Sequence, residues 1–344
     1  MLNRRDWLRI TAGAGAAFAL HGCGQRGEAR AGEEGGVAMD DSGVATDAGS
    51  AGQETNEILK PIPSSGEEIS VIGLGGRWIS TRSTPEELED HRAVLHILAE
   101  NAPPSGRMFD SAAGYGGGAS EDLSGAWAAE DGFQDQIFWA TKVNVAERGG
   151  GAADPAEVRA QIERSFERME LDVIDLNQVH NMGDPPTQLG ILQEYKEEGR
   201  IRYIGITTTN SGQHDALAQV MREYPLDFIG IDYAVDNRAV EEDILPLAID
   251  EGIAVMVYVP FGRSRMWERI GDRPLPEWAA EFDATAWSQF MLKYVISHPA
   301  VTVAAPGTGD PEHMRENLGA AFGRLPTEEH RRRMVELVDA LPGA

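Results

Sequence analysis

Ile137-Phe-Trp-Ala-Thr-Lys142, then a helical stretch opening on Asp154-Pro155-Ala-Glu157, then Val173-Ile-Asp-Leu-Asn-Gln-Val-His180 decide the fold. The two outer segments are short, nearly continuous apolar runs, the pattern of strands covered on both faces. Between them, Asp154 precedes a proline at the first helical position, which starts a helix. Strand, helix, strand in that order is a parallel unit. Each strand closes on a polar residue, Lys142 in one and His180 in the other.

The same unit repeats outward in both directions. Further apolar runs lie at 69–74, 108–109, 203–206, 228–231, 254–259 and 301–304. Thr84-Pro85-Glu86-Glu87 and Asp310-Pro311-Glu312 repeat the helix start, and Lys196-Glu-Glu-Gly199 ends a helix on glycine. Roughly eight strand–helix units in about 280 residues form a single α/β domain, a (β/α)8 TIM barrel. A last amphipathic helix at 328–340 packs on the outside. The rival is a doubly wound sheet. Gly73-Leu-Gly-Gly76 follows the first strand, but no Gly-x-Gly-x-x-Gly opens a helix there. In a barrel these glycines let the backbone approach a ligand at the mouth.

Functional groups of such a barrel sit at the C-terminal ends of the strands. Asp110 and Tyr115 belong to Met108-Phe-Asp-Ser-Ala-Ala-Gly-Tyr-Gly116, after the second strand. Lys142 ends the third and His180 the fourth, so consecutive strands bring all four together. A tyrosine is a poor acid near neutral pH, with an ordinary pKa of about 10. A neighbouring ammonium stabilises its phenolate, and a carboxylate holds that ammonium in place and charged. His180 supplies a second donor to the same oxygen. No nucleophile or metal set stands out. The chemistry that fits is proton donation to a carbonyl as hydride arrives from a cofactor. Each residue alone has a plainer reading: a structural Asp–Lys pair, a satisfied strand-end histidine, a packed loop tyrosine. The four in this order on three consecutive strands outweigh those readings.

From about residue 60 to the C-terminus, the chain resembles an aldo/keto reductase. Phe109-Asp-Ser-Ala-Ala-Gly-Tyr-Gly116 with Ser120-Glu121 and Leu123 is similar to that family's first catalytic block. Ala140-Thr-Lys142 and the strand ending in His180 match the other two. Gly199-Arg-Ile-Arg-Tyr-Ile-Gly-Ile206, Val257-Tyr-Val-Pro-Phe261 and Ala305-Pro-Gly-Thr-Gly-Asp-Pro-Glu-His-Met-Arg-Glu-Asn317 match later segments. The resemblance implies carbonyl reduction with NADP(H), or with NAD(H). Tyr115 is then the acid, Lys142 and Asp110 tune it, and His180 orients substrate. It implies cofactor contacts at Gly75, Thr207, Thr208, Tyr258, Gly307, Thr308, His313, Glu316 and Asn317, with Tyr258 stacked on the nicotinamide. The chain departs from the pattern at Thr207-Thr208, where the family has Ser-Asn, and at Gly230, where it has Gln. Gly307 and His313 stand where basic residues grip a 2′-phosphate. Trp78, Trp267 and Trp278 are candidate pocket walls. Arg263 and Arg265 are candidates for a cofactor phosphate or a substrate carboxylate.

The chain has 344 residues, 30 Lys and Arg against 56 Asp and Glu, and a formal net charge of -26. That charge excludes nucleic acid and anionic membrane surfaces as electrostatic partners. Lysine occurs only at 60, 142, 196 and 293, so Lys142 stands out in a chain whose bases are nearly all arginine. Asn3-Arg4-Arg5-Asp6-Trp7-Leu8-Arg9 resembles a twin-arginine export signal, and Leu20-His21-Gly22-Cys23 resembles a lipobox. The apolar stretch between is about 11 residues, too short to span a bilayer. Cys23 is the only cysteine, so it has no disulfide partner in the chain. Residues 1–23 therefore read as a signal, 24–56 as an acidic disordered linker, and 57–344 as the barrel. The expected partners are the export machinery, a membrane through a lipid at Cys23, and a small-molecule carbonyl or alcohol. The expected location is the periplasm or the cell envelope. The competing functions are an envelope-tethered binding protein on the same barrel and an NAD-dependent sugar or alcohol dehydrogenase.

Overall fold

The computed structural model describes residues 57–343 except 147 and 149. The signal, the lipid site at Cys23 and the linker lie outside the described residues.

Eight parallel strands run in chain order around the barrel: β3 (Leu74–Gly75), β4 (Arg107–Asp110), β5 (Ile137–Val143), β6 (Ile174–Val179), β7 (Ile201–Thr208), β8 (Phe228–Asp232), β9 (Ala254–Tyr258) and β10 (Val301–Ala304). A bridge between Ile72 and Ala304 closes the ring. Around it lie α1 (Pro85–Ala99), α2 (Ala119–Asp131), α3 (Pro155–Met169), α4 (Pro185–Glu197), α5 (His214–Glu223), α6 (Ile244–Glu251), α7 (Arg265–Ile270), α8 (Trp287–Ile296), α9 (Pro311–Leu318) and α10 (Glu328–Asp339). The helix starts fall where the sequence puts them. Thr84 forms a capping box with Glu87, while Asp154 and Asp310 accept first-turn amides. Among the described residues no helix is long and apolar enough to cross a membrane.

The expected first strand at 69–74 is divided in two. Its start joins a hairpin of β1 (Leu59–Pro61) and β2 (Glu68–Ser70), and only its end enters the barrel. The hairpin carries Ile62 and Ile69 into an apolar cluster with Met108, Phe138, Leu176, Phe228, Met256 and Val303. Lys60 fastens it, donating to the carbonyls of Ile296, His298 and Val301 at 2.7, 3.0 and 2.6 Å.

Side chains two apart on a strand share a face. Asp110, Lys142, Gln178 and Tyr258 each stand two positions after a member of that inner cluster: Met108, Ala140, Leu176 and Met256. They form the polar layer above an apolar floor, on the C-terminal side where a barrel keeps its chemistry.

Candidate functional site

Asp110 and Lys142 are each 1% exposed, and Lys142 Nζ lies 2.5 Å from Asp110 Oδ2. Nζ also donates to the Ser111 carbonyl at 2.6 Å. Burial raises the cost of both charges, and the close pairing offsets it. For Lys142, burial pulls the pKa down, but Asp110 and Tyr115 outweigh it and hold the ammonium above its ordinary value. Nζ sits 5.1 Å from the ring centroid of Tyr115 and 5.1 Å from that of Tyr258.

The half-buried His180 meets Tyr115 edge to face, with ring centroids 5.8 Å apart. Burial is the main cause that pushes His180 down to about 3, with Lys142, Arg148 and Arg77 adding to it. The imidazole is therefore neutral at physiological pH and has one N–H to offer.

A cavity of about 830 Å³ opens above this layer and is lined by Asp110, Tyr115, Lys142 and His180 together. Of the nine cofactor positions implied by resemblance, Gly75, Thr207, Tyr258 and Gly307 also line it. Thr208 does not. Strand alternation turns it outward, where its hydroxyl donates to Gln213 Oε1 at 2.6 Å, and Thr209 faces the cavity instead. Thr308, His313, Glu316 and Asn317 lie beyond the cavity, on α9 and the loop before it. Glu316 accepts a hydrogen bond from Ser288, and His313 is exposed. The carboxylate of Asp310 already accepts from the amides of Glu312 and His313. An acidic group thus occupies the anion-seeking end of α9.

Gly230 explains itself through Tyr258. A Cβ at 230 would lie 2.4 Å from the Tyr258 ring, so the ring fills the room a glutamine would need. The Tyr258 hydroxyl reaches Asp110 Oδ1 at 3.4 Å, and Gln178 Nε2 donates to that hydroxyl at 3.2 Å. Burial first, and the Asp110 carboxylate second, push the Tyr258 phenol well above its ordinary pKa. It keeps its proton and acts as a donor. Sequence reasoning missed Gln178, although its place two residues before His180 on the inward face marks it. Val259, next to Tyr258, has φ 49°, a strained backbone for a β-branched residue at the cavity wall.

The tryptophans are placed elsewhere. Trp78 donates to the Gly75 carbonyl at 2.5 Å and packs edge to face on His91. Trp267 packs at a tilt against Phe261, and Trp278 packs on Phe282 and Phe290. Arg263 lines the cavity, whereas Arg265 pairs with Asp236 at 2.6 Å. Arg77 and Arg148 also line it, and both sit in aperiodic loops that left no signal in the sequence.

Residues 71–335 match the model of the aldo/keto reductase family. "Aldo-keto reductase str7" of Strobilurus tenacellus is 27% identical over 301 residues, covering 76% of this chain and 87% of that protein. The holo form of aldo-keto reductase AKR11C1 from Bacillus halodurans superposes with a TM-score of 0.64 at 23% identity, covering 84% of this chain and 98% of that one. An aldo/keto reductase from Klebsiella pneumoniae, in complex with NADP and acetate, also scores 0.64 at 23% identity, covering 79% and 92%. At these identities the two structures speak for the fold.

Proposed function

The chain belongs to the aldo/keto reductase family, and on that premise we propose that it reduces a small-molecule aldehyde or ketone, or oxidises the matching alcohol, with Tyr115 as the proton donor. The observation that carries this reading is the convergence of Tyr115, Lys142, Asp110 and His180 on one cavity. Tyr115 passes its proton to the substrate oxygen. Lys142 stabilises the phenolate left behind, and Asp110 keeps Lys142 charged and in place. Neutral His180 donates its N–H to the same oxygen, a second donor aimed at developing charge.

The bound cofactor, NADP(H) or NAD(H), supplies or accepts the hydride. The residues that would hold it are Gly75, Thr207, Tyr258 and Gly307. Gly75 and Gly307 bring backbone together at the cavity wall: a Cβ at Gly75 would lie 3.1 Å from the Ala305 carbonyl, and one at Gly307 would lie 3.3 Å from the Gly75 carbonyl. The described residues place no cation at Gly307 or on the first turn of α9 for a 2′-phosphate. NADP(H) is supported by the relative's complex, and NAD(H) by that missing cation.

Arg4-Arg5 ahead of Trp7 and Leu8 supports export in folded form through the twin-arginine machinery, with Cys23 as the lipid-bearing residue at the envelope. A folded protein carries a tightly held cofactor with it.

Oxidation of NADPH and NADH with a panel of aldehydes tests the reading. Tyr115→Phe is expected to lower kcat by about 100-fold or more, the scale of a lost general acid, while nucleotide affinity stays. Equal turnover by both proteins would sink the assignment. The tethered binding protein on this barrel is the reading left if neither turns over any carbonyl.

A further inference from the structure

The cavity is cationic in a protein that is strongly anionic. Among the described residues Arg77, Lys142, Arg148 and Arg263 line it, against one lining carboxylate, Asp110, which is already paired with Lys142. Elsewhere in the described domain, arginines commonly face acids: Arg168 faces Glu121, Arg202 faces Glu67 and Asp175, and Arg331 faces Glu241. Arg77 and Arg148 make no hydrogen bond or ion pair with the described residues, and both are exposed at the mouth. They come from the loops after β3 and β5, which flank the β4 strand end that carries Tyr115. Arg263 enters from the loop after β9 and donates to the Thr209 carbonyl at 3.3 Å.

We propose that Arg77 and Arg148 form a subsite for an anionic group, so that the natural substrate is a carbonyl compound bearing a carboxylate or phosphate away from its reacting oxygen. The proposal rests on the reading of the cavity as a carbonyl-reducing site and adds the class of substrate. The reacting oxygen goes to Tyr115 and His180, and the second, charged end goes to the two arginines. Geometry relates the pair to the reacting groups. Arg77 and Arg148 line the same cavity as Tyr115 and His180, from the loops on either side of the one that carries Tyr115, and both charges reach the His180 imidazole. Guanidinium groups match carboxylate and phosphate oxygens with two parallel N–H donors. They also serve specificity here, because the field of a chain with net charge -26 repels anions except where such cations stand.

The test compares 4-carboxybenzaldehyde with its neutral methyl ester, methyl 4-formylbenzoate, in the full chain and in the Arg77→Met/Arg148→Met double variant. The wild type is expected to favour the carboxylate by about tenfold or more in kcat/KM, the scale of one charged hydrogen bond. In the double variant that ratio falls toward one, through KM, and Arg77→Lys/Arg148→Lys recovers part of it. A wild type without the preference, or a double variant that keeps it, overturns the proposal. So does loss of NADPH affinity with the preference intact, which would assign the arginines to the cofactor phosphates. If neither aldehyde is turned over, the catalytic reading fails, and titration calorimetry with terephthalate still decides the subsite. Binding that disappears in the double variant supports it, and absent or unchanged binding overturns it.

Discussion

At the scale of single residues, His180 is the group whose charge state decides what it can do. Its ordinary value of 6.5 falls to about 3, chiefly by burial. Across the neutral range it is thus a hydrogen-bond donor and not an acid. His180→Leu is expected to lower kcat by about 100-fold, the cost of one donor to a developing oxyanion, and His180→Gln by less because an N–H remains. The kcat–pH profile between pH 5 and 8 keeps its shape in His180→Gln. A lost limb there would show that His180 titrates in turnover. The same depression has a sign for stability. The unfolded chain takes up a proton as pH falls below about 6.5, while the folded site refuses it until about 3, so this site removes stability through that window. His180→Gln should show a smaller drop in Tm from pH 7 to pH 5 than wild type. The tetrad was legible because Asp110, Lys142 and His180 close apolar runs, where a polar residue is conspicuous, and Tyr115 follows five residues after the first of them. Gln178 was passed over: alternation with His180 marks its face, but its role shows only when its partners Asp110 and Tyr258 are seen.

At the scale of elements, strands and helices followed from period and punctuation, but the hairpin did not. β1 and β2 have three residues each, too few for a period-two pattern to register. Their role shows only in three dimensions, where Ile62 and Ile69 meet the barrel floor. Lys60 is the rivet. Burial, the main cause, and Arg331 hold its amine down at about 8, yet it serves three carbonyls near the end of α8. Lys60→Met removes those donors, and of the three carbonyls that of His298 keeps the Val301 amide as a partner. The expected cost is about 3 kcal/mol, a fall in Tm on the order of 5–10 °C for a domain of this size, with kcat unchanged because the site lies at the other end of the barrel. A Tm within a degree of wild type would show that water replaces the amine and that the hairpin is held by its two isoleucines alone. The resemblance carried the cofactor positions at Thr207 and Thr208 as a pair, and strand alternation divided them, because a motif gives order along the chain while a strand gives facing.

At the scale of the whole molecule, charge restricts how the protein can meet a membrane. Most of the net charge of -26 lies in the barrel domain. An anionic leaflet therefore repels the domain as a whole. The described helices offer no membrane-spanning segment. On the proposed reading the membrane contact is a lipid at Cys23, and acyl chains contribute about 0.8 kcal/mol per buried CH₂ whatever the protein's charge. The two mechanisms respond oppositely to salt. An electrostatic contact weakens as the screening length shrinks from about 30 Å at 10 mM to about 3 Å at 1 M, whereas a lipid anchor does not. Wild type should stay in the membrane fraction through a 1 M salt wash and leave it with detergent. Cys23→Ser should appear in the soluble envelope fraction, and Arg4→Lys/Arg5→Lys should remain in the cytoplasm with its activity intact. Release of the wild type by salt alone would mean that a protein partner holds it at the membrane, and the lipid assignment at Cys23 would fall.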